Sequence, residues 1–285
     1  MLDWRTILCG VDGSEESIRA AKLGAMIAKG LSARLLGVYV IPSHPVFQLG
    51  IHRANGEAEL AADGQVLLHK LQEETGVAVE PFILEGDPGA SILEVAARHA
   101  CDLIVVGRRG LGKVERWLLG NVASKVVLHT PCTALVSKGV GPVPDNPFAR
   151  TLCGLDGSPE SERAGMEALG LARLLGGAIR FAHVSYWVTG AEMEPPVGDY
   201  PSTGTLLAKF CEKARQTGVV ADSVELSGQP AAALLEHAAV WEASLIAVGS
   251  RGLGGFAGLR LGSTSHQIVR HSACSVLICP RPQEC

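Results

Sequence analysis

Aromatic side chains are scarce: phenylalanine, tyrosine and tryptophan together make up 5% of the 285 residues. Aromatic layers therefore cannot fill the interior, which must come from Val, Ile, Leu and Ala, as it does in compact α/β domains. The sequence also lacks any run near the roughly 18 apolar residues of a membrane span. Met1-Leu-Asp-Trp-Arg lacks the basic-then-apolar layout of a signal peptide. Together these absences make the cytoplasm the expected location and exclude a membrane partner. Basic charge is not in excess, the formal net charge being −4, which argues against nucleic acid as a partner. None of the eight cysteines forms a C-x-x-C pair. Cys9 and Cys153 have apolar neighbours, so the set reads as small buried hydrophobes in a reducing compartment, with no role assignable to Cys285.

Glycine, by contrast, is plentiful, at 34 residues, and its placement repeats. Cys9-Gly-Val-Asp12-Gly-Ser14 returns as Cys153-Gly-Leu-Asp156-Gly-Ser158, 144 positions on (12 to 156). Gly107, Gly110 and Gly120 return as Gly249, Gly252 and Gly262, 142 positions on (107 to 249). Thr130-Pro-Cys132 matches Ser272-Ala-Cys274 at the same spacing. Matches in one order across both halves imply a duplicated domain. The length suits two domains, expected over 1–140 and 150–285. The Pro- and Gly-rich stretch 141–149 would be the linker.

Each half alternates strand-like and helix-like segments. In the first, Thr6–Val11 reads as a buried strand, and Ser14 caps a helix over 15–30 with Ile18, Ala21, Ala25 and Ala28 at helical spacing. Strands follow at 33–41, 77–84, 103–106 and 134–136, with helices at 56–75, 90–99 and 121–128. The second half follows the same plan, with strands at 151–155, 178–184, 223–226, 245–248 and 275–278. Its helices fall at 159–175, 205–217, 230–241 and 263–271. The expected fold is α/β: two tandem Rossmann-like domains, each an open, twisted parallel five-stranded sheet with helices on both faces. Ligands of such sheets lie outside the carboxyl ends of the strands, where strand order reverses. If first and fourth strands are neighbours, Asp12 or Asp156, a glycine loop and a helix start share one crevice.

Three glycine motifs compete for the loops. Gly107-Arg-Arg-Gly-Leu-Gly112-Lys113 fits a P-loop, but Val114 stands where Ser or Thr must hold Mg²⁺, and the second copy has Gly255 for the lysine. Gly252-Leu-Gly254-Gly-Phe-Ala257 fits a dinucleotide fingerprint, yet it follows the fourth strand and no acid lies about twenty positions on. G-x2-G-x9-G-[S/T] is met at every position by Gly249, Gly252, Gly262 and Ser263. With the strand ending in Asp-Gly-Ser and the Gly86-Asp-Pro88 turn, the chain resembles the universal stress protein family in its tandem form, over essentially its whole length.

That resemblance implies ATP as ligand, with or without Mg²⁺. Gly249, Arg251, Gly252, Gly262, Ser263 and Thr264 would line the phosphates and ribose of the second site, and Asp156 and Val184 would flank the adenosine. The first-site counterparts are Gly107, Arg109, Gly110, Gly120, Asn121, Asp12 and Val40. Asn121 departs from the motif, since it replaces a small hydroxyl with a larger amide. Arg108, Arg109 and Lys113 offer charge-assisted contacts there. The resemblance also implies pairing of the two domains within the chain through their last strands, with a homodimer as a further option and the protein partner unknown.

Plainer readings stand beside these. The glycines serve tight packing, the two aspartates cap or turn, and Arg251 is solvated. His266 and His271 do not share a helix face, so no metal site is expected. Tyr186 and Trp187, in a loop that differs between halves, either close over a ligand or merely cover the surface. Neither aspartate has a second acid or histidine paired with it, and no G-x-S-x-G elbow occurs. The expected function is therefore an ATP-binding stress-response regulator, and the alternatives are a slow ATPase and an ATP-independent interaction protein.

Overall fold

A computed structural model describes residues 2–42, 55–111, 119–185, 202–253 and 261–281, without the side chains of 55–58. The chain divides into two compact units: Asp3–Val143, and Pro144–Cys285 together with Met1–Leu2.

The first unit runs β1 (Thr6–Val11), α1 (Glu15–Leu31), β2 (Arg34–Pro42), α2 (Asn55–Thr75), β3 (Val79–Gly86), α3 (Pro88–Arg98), β4 (Leu103–Gly107), α4 (Asn121–His129) and β5 (Thr133–Ser137). Its strands are parallel in the order β3-β2-β1-β4-β5. The second unit repeats this with β6 (Arg150–Gly154), α5 (Pro159–Leu175), β7 (Ala178–Ser185), α6 (Thr203–Thr217), β8 (Ala221–Ser227), α7 (Pro230–Val240), β9 (Leu245–Gly249), α8 (Ser263–His271) and β10 (Ser275–Cys279). Its order is β8-β7-β6-β9-β10. The α/β reading holds, and element bounds differ from the sequence expectation by only one or two residues.

Central strands are apolar beyond their first residues because helices cover both sheet faces. Ile7, Leu8 and Cys9 of β1 and Leu103, Ile104 and Val105 of β4 are all fully buried. Of the described cysteines, Cys9, Cys101, Cys132, Cys153 and Cys279 are buried and none is in a disulfide. Burial, then the Asp102 carboxylate, pushes the Cys101 thiol up to about 11, so it stays protonated and inert. Cys285 lies outside the described residues. Part of the stretch read as linker is folded: Phe148 is buried, and the Asn146 amide donates to the Gly176 carbonyl at 3.1 Å.

Helix starts carry side-chain caps, at Ser14 as the sequence suggests and also at Ser158 and Asp87. Ser14 Oγ accepts the Ser17 N–H and Ser158 Oγ accepts the Ser161 N–H, both at 3.2 Å. Asp87 Oδ1 accepts the Ala90 N–H at 2.7 Å ahead of Pro88. Losing such a cap costs about 1 kcal/mol. Ser158→Ala should therefore lower the unfolding free energy of the second unit by at least about that much, read as a lower chemical-denaturation midpoint at unchanged slope; an unchanged midpoint would show that the cap contributes nothing.

The units differ beneath α7. Arg180 of β7 pairs bidentately with Asp222 of β8 and lies 4.6 Å over the Trp241 ring. Its Nη1 is 3.2 Å from His237 Nε2, which therefore accepts and leaves the ring neutral. Burial, and then the Arg180 charge, hold His237 below its usual 6.5. The unfolded chain thus takes up a proton that the folded unit resists, so this part of the stability is present above pH 6.5 and is lost as pH falls below it. Unfolding midpoints measured from pH 7 down to 5 should fall more steeply for the native chain than for His237→Gln; equal slopes would contradict this.

A paired carboxylate clamp at each strand switch point

Sheet order reverses between β1 and β4, which are neighbours through Ile7–Leu103 and Cys9–Val105; β6 and β9 repeat this through Thr151–Leu245 and Cys153–Ala247. A crevice opens there, outside the carboxyl ends of the strands.

Asp12 follows β1 directly. Its Oδ1 accepts from Ser14 N at 3.0 Å and Ser14 Oγ at 2.6 Å, and its Oδ2 accepts from Leu111 N at 3.0 Å. One carboxylate thus ties the strand end to the start of α1 and, 99 residues on, to the backbone of the glycine loop. Asp156 does the same: Oδ1 takes Ser158 N at 3.0 Å and Ser158 Oγ at 2.6 Å, and Oδ2 takes Leu253 N at 3.2 Å. The aspartates therefore act as clamps on the loop as well as turn residues.

A second carboxylate, absent from the sequence reading, backs each clamp. Glu16, buried in the first turn of α1, accepts the Arg109 N–H and Arg109 Nε, both at 2.9 Å, and pairs with its guanidinium. Glu160 of α5, equally buried, pairs with Arg251 at 3.3 Å. Both arginines are thus held by protein carboxylates rather than standing free at the loop. Glu16 and Glu160 keep the same offset as the aspartates (16 to 160), and that was the one available sign of them.

The glycines separate into two kinds. A Cβ on Gly107 would lie 2.9 Å from the Glu16 carbonyl carbon and Ser17 nitrogen, and one on Gly249 would lie 2.8 Å from the same atoms of Glu160 and Ser161. These two glycines let the strand end pack on the helix start. A Cβ on Gly110 or Gly252 would instead meet the clamp, 2.1 Å from Asp12 Oδ2 or 2.3 Å from Asp156 Oδ2. They keep the carboxylate and loop in contact.

Gly120 and Gly262 are N-caps of α4 and α8 without a side-chain cap bond. Their N–H groups donate to the carbonyls of Arg108 at 2.9 Å and Ser250 at 2.7 Å, which fixes each helix start beside its loop. The first-turn amides, at Asn121, Val122 and Ala123 and at Ser263, Thr264 and Ser265, have no partner within their helix and carry the positive end of its dipole. Asn121 and Ser263 are exposed. Ser265 Oγ donates to the Gly249 carbonyl at 2.6 Å, a tie that Ala123 cannot make.

Register places Val40 one residue beyond Tyr39, the partner of Val11, and so level with Asp12. Val184 is likewise level with Asp156, two residues beyond Ala182, the partner of Gly154; both valines are half-buried. Beside them Tyr39 and His183 are counterparts. Burial, then the Asp63 and Asp12 carboxylates, raise the Tyr39 phenol, which stays a neutral donor. His183 Nδ1 lies 2.8 Å from the Leu155 carbonyl.

The two crevices thus bring together the aspartates, glycines, arginines and helix starts singled out in the sequence. Lys113, Tyr186 and Trp187 lie outside the described residues. Among the described residues no group of three His, Cys, Asp or Glu is placed to hold a metal ion, His266 and His271 included, and no helix is long and apolar enough to cross a membrane.

These features define a tandem α/β protein with a strand, glycine loop and helix start meeting in each unit. The sequence model of the universal stress protein family matches residues 3–138 and again 147–280. A universal stress protein of Mycolicibacterium smegmatis is 29% identical over 288 residues, covering 95% of this chain and 96% of its own length. One of Methanocaldococcus jannaschii is 37% identical over 143 residues, covering 47% of this chain and 82% of its own. The crystal structure of a universal stress protein from Archaeoglobus fulgidus superposes with a TM-score of 0.73 at 25% identity, over 98% of this chain and 97% of that one. The chain belongs to the universal stress protein family.

Proposed function

We propose that each unit binds one adenine nucleotide, ATP by preference, and that the protein is a nucleotide-binding regulator rather than a catalyst. The observation that carries this reading is the double occurrence of one arrangement. In both units an aspartate clamps the glycine loop by a backbone amide, and the loop stands against a helix start whose first-turn amides are uncapped by any side chain. Such amides, with the helix dipole behind them, suit phosphate oxygens. Asp12 and Asp156 would repel phosphate, so they belong at the sugar end, with Val40 and Val184 beside the base. Gly110 and Gly252 serve the site through the clamp, and Gly120 and Gly262 open the helix starts.

Each aspartate carboxylate already accepts three hydrogen bonds, from Ser14 N and Oγ and Leu111 N or from Ser158 N and Oγ and Leu253 N, which favours a role in holding the loop over one in holding Mg²⁺ or orienting water for hydrolysis. Any Mg²⁺ would arrive on the phosphates. Bound nucleotide would act by favouring the loop arrangement that it contacts best.

Calorimetric titration of the full chain with ATP should show saturable binding approaching two nucleotides per chain, with no ADP formed over hours. Absence of binding at about 1 mM ATP, where only some 4 kcal/mol would be needed, overturns the reading. Steady ADP release that is lost in Asp156→Asn would replace it with a slow ATPase.

A further inference from the structure

The third residue of the site helix is buried in both units and differs between them. Ser265 of α8 is 4% exposed and Ala123 of α4 is 1% exposed. Each shares the buried face of its helix with an apolar pair, Ile268 and Val269 or Val126 and Val127. A buried hydroxyl costs stability unless it is bonded, and alanine fills the same place in the first unit. Packing therefore does not call for serine at 265, and the first unit serves as an internal control.

The hydroxyl is bonded, and to one particular atom. Ser265 Oγ donates to the Gly249 carbonyl at 2.6 Å, which joins the first turn of α8 to the last residue of β9. The Gly262 N–H donates to the next carbonyl, that of Ser250, at 2.7 Å. Two bonds to successive residues fix both the distance and the direction of the helix start against the glycine loop. In the first unit the Gly120 N–H makes the corresponding bond to Arg108 O at 2.9 Å, but Ala123 has no hydroxyl with which to add the second. A helix start whose amides are already aimed loses less freedom when phosphate arrives.

We infer that Ser265 is a positioning residue for phosphate at the second site: by tying α8 to the end of β9 it sets the amides of 263–265 in their binding arrangement before the ligand enters. This inference rests on the nucleotide reading above. One neutral hydrogen bond of this kind should tighten ATP binding at the second site by about 3- to 10-fold.

An amide-resolved NMR titration of the full chain with ATP reads the two sites separately, at 263–265 and at 121–123. Ser265→Ala should raise the ATP concentration that half-saturates 263–265 by about 3- to 10-fold and leave 121–123 unchanged. Ala123→Ser, which supplies the missing hydroxyl, should tighten the first site severalfold. That gain is one that a merely structural serine would not produce. Denaturation of the same variants without nucleotide is the companion measurement. A lower unfolding midpoint of Ser265→Ala with unchanged ATP affinity would show that the serine serves the fold alone, and would overturn the inference. So would a loss shared equally by both sites, or an Ala123→Ser chain that binds ATP no better. ATP binding that Ser265→Ala leaves intact sinks this inference only, whereas no ATP binding by the native chain sinks the nucleotide reading as well.

Discussion

Gly252→Ala is expected to weaken nucleotide binding at the second site by about 10- to 100-fold while leaving the unit folded. The reason is steric and local. A Cβ there would sit 2.3 Å from Asp156 Oδ2, the oxygen that accepts the Leu253 N–H. The carboxylate must swing away, and the loop then loses its tether. A hydrogen bond to a charged acceptor is worth about 1.5–3 kcal/mol, which sets the range of the affinity loss. Asp156→Ala should weaken binding similarly, and the double variant should be little worse than either single one, since both remove the same contact. Additive losses would mean that the glycine serves the ligand directly and not through the clamp.

Gly249→Ala, only three residues away, should behave in the opposite manner. Its Cβ would lie 2.8 Å from the Glu160 carbonyl carbon and the Ser161 nitrogen, backbone atoms of a helix that also packs on β9. They cannot step aside without parting helix from sheet. Overpacking of this kind costs about 1–3 kcal/mol, so the second unit should melt several degrees lower. Excess ATP should restore part of the loss if the folded crevice binds it. A variant as stable as the native chain would show that the helix start yields more readily than its packing suggests.

This division between neighbouring glycines explains how much was legible beforehand. Buried runs such as Thr6–Val11, the Ser14 cap, and the two spacings of the repeat encode local structure, and they led to the α/β fold and to the loops. Adjacency of β1 and β4 followed only as a condition, because sheet order is set by packing between distant segments. The clamp was illegible for a sharper reason: Asp12 binds the amide of Leu111, and a backbone donor leaves no trace in residue type. The ion pairs were missed in the same way. Glu16 lies 93 residues from Arg109, and on the sequence alone it reads as one of two acids in a helix's first turn. Arg109 and Arg251 were expected to point at phosphate, yet buried carboxylates hold them.

The most direct test of nucleotide capture by the clamped loops is an amide-resolved NMR titration of the full chain with ATP. The amides of residues 121–123 and 263–265, with those of Leu111 and Leu253, should shift together and saturate. Shifts confined to other parts of the chain, or none at saturating ATP, would contradict the account.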